Sequence, residues 1–236
     1  MELNFHLCYS QSAACRLVNE PCGISFAPST PRVYNTCTLL EPEGEVRTLT
    51  FESRLTGAHQ RMFLATLDTS SVPGLQVVVK LVPRSYSVKV HRYMADKELA
   101  PKLYGYAEVE GTLTAYVMEY LDPSAWQTLH QWYKPESPKS KIKYPPELQT
   151  ALDNIIETLR SENYVHGDLR TNNIMIRTDV TGNSVDLKVI DFDWAGEAGQ
   201  VCYPAERNRE IEWPGEAGEP IMDGHDSEMV SSWMAQ

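Results

Sequence analysis

Residues 163–193, "NYVHGDLRTNNIMIRTDVTGNSVDLKVIDFD", constrain the fold more than any other stretch of the chain. Two short apolar runs, 173–177 and 186–190, flank "TDVTGNS", in which Gly182-Asn183 supplies turn chemistry, so the spacing predicts an antiparallel hairpin. In such a hairpin the start of the first strand lies beside the end of the second. Asn173 opens the first and Asp191 follows the second, which brings an amide oxygen and a carboxylate to one end. Asp168 stands in the loop leading to that end, and Asp193 follows Asp191 by two positions. Carboxylates about 4–5 Å apart repel by roughly 3–4 kcal/mol at an effective dielectric near 20. A divalent cation relieves that repulsion, and hard oxygen ligands completed by water and phosphate suit magnesium. The hairpin end therefore reads as a cation site with a further carboxylate nearby as a base. A structural reading, with Asp168 capping a turn, competes with it.

Upstream, "VRTLTFES", "RMFLATL" and "LQVVVKLV" read as three strands, the last rich in β-branched residues and buried on both faces. "SVKVHRYMADKELAP" follows with Val90, Met94, Ala95 and Leu99 at helical spacing and Pro101 as the stop. "LYGYAEV" and "LTAYVMEYL" return to strand character around a Glu110-Gly111 turn. The order is three strands, one helix, two strands. "DPSA" links this to a second half in which Leu148, Leu152, Ile155 and Leu159 mark an amphipathic helix. Residues 133–146, with four prolines and four lysines, read as an exposed loop.

Residues 1–45 hold Pro21, Pro28, Pro31 and Pro42 and little periodicity, so they are expected to form a partly disordered extension. The leading residues carry neither a positive leader nor a continuous apolar run. No stretch approaches 18 apolar residues, and a cytoplasmic or nuclear setting without a membrane is the expectation. Five cysteines without a CxxC pair read as reduced thiols, not a zinc site. A net charge of -11 argues against nucleic acid as a partner, because tracking phosphates needs a basic footprint.

"HGDLRTNNIMI" followed by "KVIDFDWAG" resembles the catalytic and metal-binding loops of the protein-kinase-like superfamily, whose signatures are HRDxxxxN and Asp-Phe-Gly. With "HRYMADKELAPKLYG", the ensemble is similar to short kinase-like proteins common in fungi. The His-Gly-Asp form is related in style to aminoglycoside and choline phosphotransferases. The resemblance covers roughly residues 46–200. It implies an α+β, two-lobed protein-kinase-like fold: an N-terminal extension (1–45), a five-stranded antiparallel N-lobe with one helix (46–121), and a reduced, mainly helical C-lobe (122–236). It further implies ATP and Mg2+ as cofactors and transfer of the γ-phosphate to a hydroxyl acceptor, with protein Ser/Thr the leading class. Lys80 in "VVVK" matches the lysine that grips the phosphates. "VMEYL" resembles the hinge, with Met118 at the back of the pocket and Glu119 and Leu121 offering backbone groups to adenine. Val78 and Met175 would close on the adenine ring, and Gly57 stands where the phosphate loop is expected. Asp168 would orient or deprotonate the acceptor hydroxyl, Arg170 would balance developing charge, and Asn173 and Asp191 would hold magnesium. His166 would be a structural brace. Asp226 would either brace the catalytic loop from below or cap a short helix.

The chain departs from that pattern in three places. "SRLTGAHQRMF" offers one glycine where GxGxxG is expected. No glutamate stands where the lysine's partner usually does: Lys89 occupies that neighbourhood, and Asp96 and Glu98 are the acidic alternatives. The tail after Asp193, rich in Pro, Gly and Glu, is short for a full lower lobe. A pseudokinase, acting as a nucleotide- or protein-binding scaffold, is therefore a second reading. A small-molecule kinase, its cationic acceptor drawn by the acidic tail (Glu197, Glu206, Glu210, Glu212, Glu216 and Glu219), is a third.

Overall fold

The computed structural model describes residues 31, 33–55, 61–69, 73–83, 86–133, 144–179 and 185–235. They fall into two compact units. The first gathers the described residues up to Pro83 with Tyr104–Tyr120, and the second those of Arg84–Leu103 with Leu121–Gln236.

The first unit is a closed antiparallel barrel. Its strands are β1 (Thr36–Leu39), β2 (Val46–Arg54), β3 (Met62–Leu67), β4 (Leu75–Val82), β5 (Leu103–Ala107) and β6 (Thr114–Glu119), hydrogen-bonded in the order β1-β2-β3-β4-β6-β5 and closed by β5 on β1. Alternation sorts β4 into two faces. Val77, Val79 and Leu81 belong to the barrel core with Cys37, Phe63 and Val117, whereas Val78 and Lys80 have the opposite parity. Burial pushes the Cys37 thiol up to about 12, so it is inert at neutral pH. Cys202 is free as well, and the other three cysteines lie outside the described residues.

The second unit opens with α1 (Val88–Asp96). It continues through the short β7 (Trp126–Thr128), the single turn α2 (Leu129–Trp132) and the long α3 (Pro146–Ser161). Pro146 at the first helical position and Glu147 in the first turn start α3 favourably, and Arg160 suits its last turn. Its apolar stripe, Leu148, Leu152, Ile155 and Leu159, is buried to 1 % exposure or less. After α3 come β8 (Tyr164–Val165), a 3₁₀ turn (Thr171–Asn173), β9 (Ile174–Arg177), β10 (Leu187–Val189), β11 (Gly196–Glu197) and α4 (His225–Met234). β9 pairs antiparallel with β10 and with β7, and β11 with β8.

Several expectations need correction. The sheet has six strands, not five, because Thr36–Leu39, inside the expected extension, forms β1. Cys37 and Leu39 enter the barrel core at 0 % and 6 % exposure, which offsets the low intrinsic order of so short a run. The helix predicted to belong with the strands, α1, clusters with the second unit. It also ends at Asp96, five residues before Pro101, because Glu98 adopts φ 61° and turns the chain. Among the described residues only α3 and α4 of the second unit exceed nine residues, so "mainly helical" gives way to turns, short strand pairs and two substantial helices. The Gly182-Asn183 turn, Gly57 and the lysine-rich residues 134–143 lie outside the described residues.

Candidate active site

The hairpin register sets the site. Ile174 stands opposite Val189, and the Ile190 N–H donates to the Asn173 carbonyl at 2.9 Å. Asn173 is thus the last residue before β9, and Asp191 stands two residues past the end of its partner strand β10, at the same end. Asp191 adopts φ 73°, a left-handed conformation that aspartate tolerates better than most residues.

Asp168 is 3 % exposed. Arg170 donates from Nε to Oδ1 and from Nη2 to Oδ2, the latter at 2.8 Å, so both carboxylate oxygens are engaged by one planar fork. Burial pushes the Asp168 carboxyl up to about 6. Arg170 opposes that shift, and the charge of Asp191 adds to it. For Arg170, burial works against the charge, but Asp168 and Asp191 outweigh it and hold the guanidinium above its ordinary value. Asp168, Arg170 and Asp191 therefore form one electrostatic group. Asn173 is fully buried, and its Nδ2 donates to the Asp168 carbonyl at 2.9 Å, while its Oδ1 has no hydrogen-bond partner.

The loop that carries Asp168 is held from two sides. In α4, Asp226 accepts the backbone N–H of His166 at 2.7 Å and of Gly167 at 2.9 Å, and Trp233 Nε1–H donates to the Leu169 carbonyl at 3.0 Å. The helix N-cap is Gly224, so of the two sequence readings of Asp226 the bracing one describes it. His166 is a brace too: its Nδ1 accepts the Asp168 N–H at 3.2 Å, and its Nε2 lies 3.1 Å from the Ile190 carbonyl. Gly167 has a local reason. At φ +79°, a Cβ there would approach Ile221 Cδ1 to 2.7 Å and Trp194 Cβ to 3.3 Å. The glycine of His-Gly-Asp thus follows from packing against the tail, whatever the acceptor.

Helix α1 is bound to the same loops. His91, 1 % exposed, stacks on Phe192 with centroids 4.5 Å apart; its Nε2 faces the Pro101 carbonyl at 2.7 Å and its Nδ1 the Tyr86 hydroxyl at 2.6 Å. Lys89 pairs with Glu197 at 2.8 Å and lies over the Tyr164 ring, so Glu197 is the partner the sequence reading missed. The signal was invisible locally, because the two residues are 108 positions apart.

The remaining candidates divide by unit. In the first, Val78 faces Met118 across β4 and β6, Lys80 faces Tyr116 and Glu119 faces Val77; Val78, Lys80 and Met118 share the barrel's outward parity. In the second, Leu121 and Met175 pack in one cluster with Trp126 and Ile190. Gly57 lies outside the described residues.

No protein-family model matches the chain, and no curated protein matches it. Among solved structures it is similar to the kinase PK-1 of Cydia pomonella granulovirus, with a TM-score of 0.55, 15% identity, and coverage of 77% of this chain and 65% of that one. It is also similar to vaccinia related kinase 3, with a TM-score of 0.55, 16% identity, and coverage of 92% and 68%. The chain thus spans about two thirds of the length of either. At these identities the likeness establishes a protein-kinase-like fold.

Proposed function

We propose that this chain is an ATP-dependent phosphotransferase acting on a hydroxyl acceptor, with protein Ser/Thr the first class to test. The observation that carries the reading is Asn173: fully buried, fixed through Nδ2, and left with an unpaired Oδ1 at the hairpin end where Asp191 begins. A buried amide oxygen without a partner costs about 1–3 kcal/mol, and a metal ligand role removes that cost. One amide and one carboxylate suit magnesium, which takes few protein ligands and completes its octahedron with water and phosphate.

In this reading Asn173 and Asp191 hold magnesium, which when bound neutralises charge on the transferred phosphate. Asp168 orients the acceptor hydroxyl and takes its proton, and Arg170 answers the negative charge that develops. Lys80, Val78, Met118 and Glu119 are assigned to the nucleotide, as are Leu121 and Met175. Thermal unfolding with and without MgATP tests the site. At a ligand concentration near 100 times Kd the stabilisation is about 2.7 kcal/mol, a rise of several degrees for a chain of this size. The shift is expected to vanish in Asp191→Ala and Asn173→Ala. No shift in cooperatively unfolding wild type at millimolar MgATP would sink the nucleotide reading.

One observation favours a second reading. Both oxygens of Asp168 are engaged by Arg170, as they would be in a nucleotide-binding scaffold that transfers nothing. Magnesium-dependent transfer that disappears in Asp168→Asn separates the two.

A further inference from the structure

The tail between Val201 and Ile221 is a loop closed at its base. The Ile221 N–H donates to the Val201 carbonyl at 2.8 Å, Tyr203 N–H to Glu219 at 3.0 Å and Gly218 N–H to Tyr203 at 2.8 Å. Its interior is aromatic. Trp213 packs on Trp194 with centroids 5.0 Å apart and on Tyr203 at 6.1 Å, and its indole N–H donates to the Asn208 carbonyl at 2.8 Å. Arg207 lies over Tyr203 at 5.4 Å, donates to the Gly215 carbonyl and meets Glu216 at 3.1 Å. This core presents the Trp213 ring to Arg170, whose guanidinium carbon lies 5.1 Å from its centroid.

Arg170 is therefore held twice, by two parallel hydrogen bonds to Asp168 along one edge and by an indole against its face. The two side chains are only 11 % and 4 % exposed. A guanidinium so placed keeps a narrow range of rotamers, and the cation–π contact strengthens as water is excluded from it. We infer that Trp213 is the positioning residue that clamps Arg170 across both oxygens of Asp168, so that an acceptor hydroxyl reaches Asp168 only when Arg170 leaves the indole face. The gating half rests on the phosphotransferase reading; the clamp does not.

Modification of arginines in the full chain by 1,2-cyclohexanedione, read by mass spectrometry, tests the clamp without any phosphate transfer. Arg160 and Arg177, each with 42% of its side chain exposed, serve as fast references. Trp213→Leu keeps apolar bulk without a π face, and Trp213→Phe keeps a face. Arg170 is expected to react slowly in the wild type and in Trp213→Phe, and about tenfold faster in Trp213→Leu. The clamp is overturned if Arg170 matches Arg177 in the wild type or stays protected in Trp213→Leu. With dephosphorylated casein as acceptor, Trp213→Leu is expected to raise the transfer rate several-fold at an unchanged MgATP thermal shift; an unchanged or lower rate overturns the gate. No transfer by any of the three proteins, with footprints as expected, would sink the phosphotransferase reading and leave the clamp standing.

Discussion

Asp226→Asn isolates the energetics of the brace beneath the loop that carries Asp168. Asp226 is 3 % exposed, and burial pushes its carboxyl up to about 6, although the N–H groups of His166 and Gly167 pull the other way. An unfolded aspartate titrates near 3.9, as its model peptides do. Because the folded value is the higher one, the native state binds the proton more tightly than the unfolded chain. The stability this contributes is fully present below about pH 4 and is lost as pH rises through about 6. Two pH units of separation correspond to roughly 3 kcal/mol in full, of which on the order of 1 kcal/mol falls between pH 5 and 7. Asp168, raised to about 6 chiefly by the same burial, adds a second contribution of the same sign. The amide of Asp226→Asn fills the same volume and cannot ionise, but its NH2 cannot accept, so one of the two bonds from the His166 and Gly167 N–H groups is lost. The variant should therefore lose about half of the slope and be less stable than the wild type at pH 5. Urea unfolding followed by tryptophan fluorescence at pH 5, 6 and 7 measures the slope, provided the m-value is unchanged. Parallel curves for wild type and Asp226→Asn would refute the reasoning.

Two contrasts accompany it. Gly167→Ala adds a Cβ at φ +79° against Ile221 and Trp194, and is expected to destabilise by about 1–3 kcal/mol in the same urea assay; a neutral effect would show that the tail yields easily there. Lys89→Ala removes a pair whose side chains are 67% and 51% exposed, so the unfolding midpoint should move by no more than about two degrees. A larger drop would mean that the Tyr164 contact, not the ion pair, holds α1 at that point.

Much of this was legible in the chain because it is written locally. The run "LQVVVKLV" coincides with β4, and the apolar stripe of α3 appears at three-to-four spacing in Leu148, Leu152, Ile155 and Leu159. The hairpin could be read from its flanks even though its turn lies outside the described residues. What escaped is written over distance. β1 is four residues long among prolines, and its pairing with β2 and β5 makes it a strand. The Lys89–Glu197 pair and the Trp213–Arg170 stack join segments with no shared periodicity. Arg170 was expected beside a phosphate, and here it meets Asp168. The sequence places both residues in one loop but says nothing about which of them the guanidinium selects.

Closure of the barrel by β1 has a consequence for anyone who trims this protein. A sheet without free edges offers no row of unpaired backbone groups, so a partner that binds by adding a strand finds no template in it. Cutting the chain at residue 46, where the strand pattern first becomes obvious, would remove β1 and leave β2 and β5 each with an open side. It would also uncover the hydrophobic floor that Cys37 and Leu39 now seal. Such a fragment would be prone to self-association through its new edges, and insolubility on its part would report a broken barrel, not an intrinsically unstable protein.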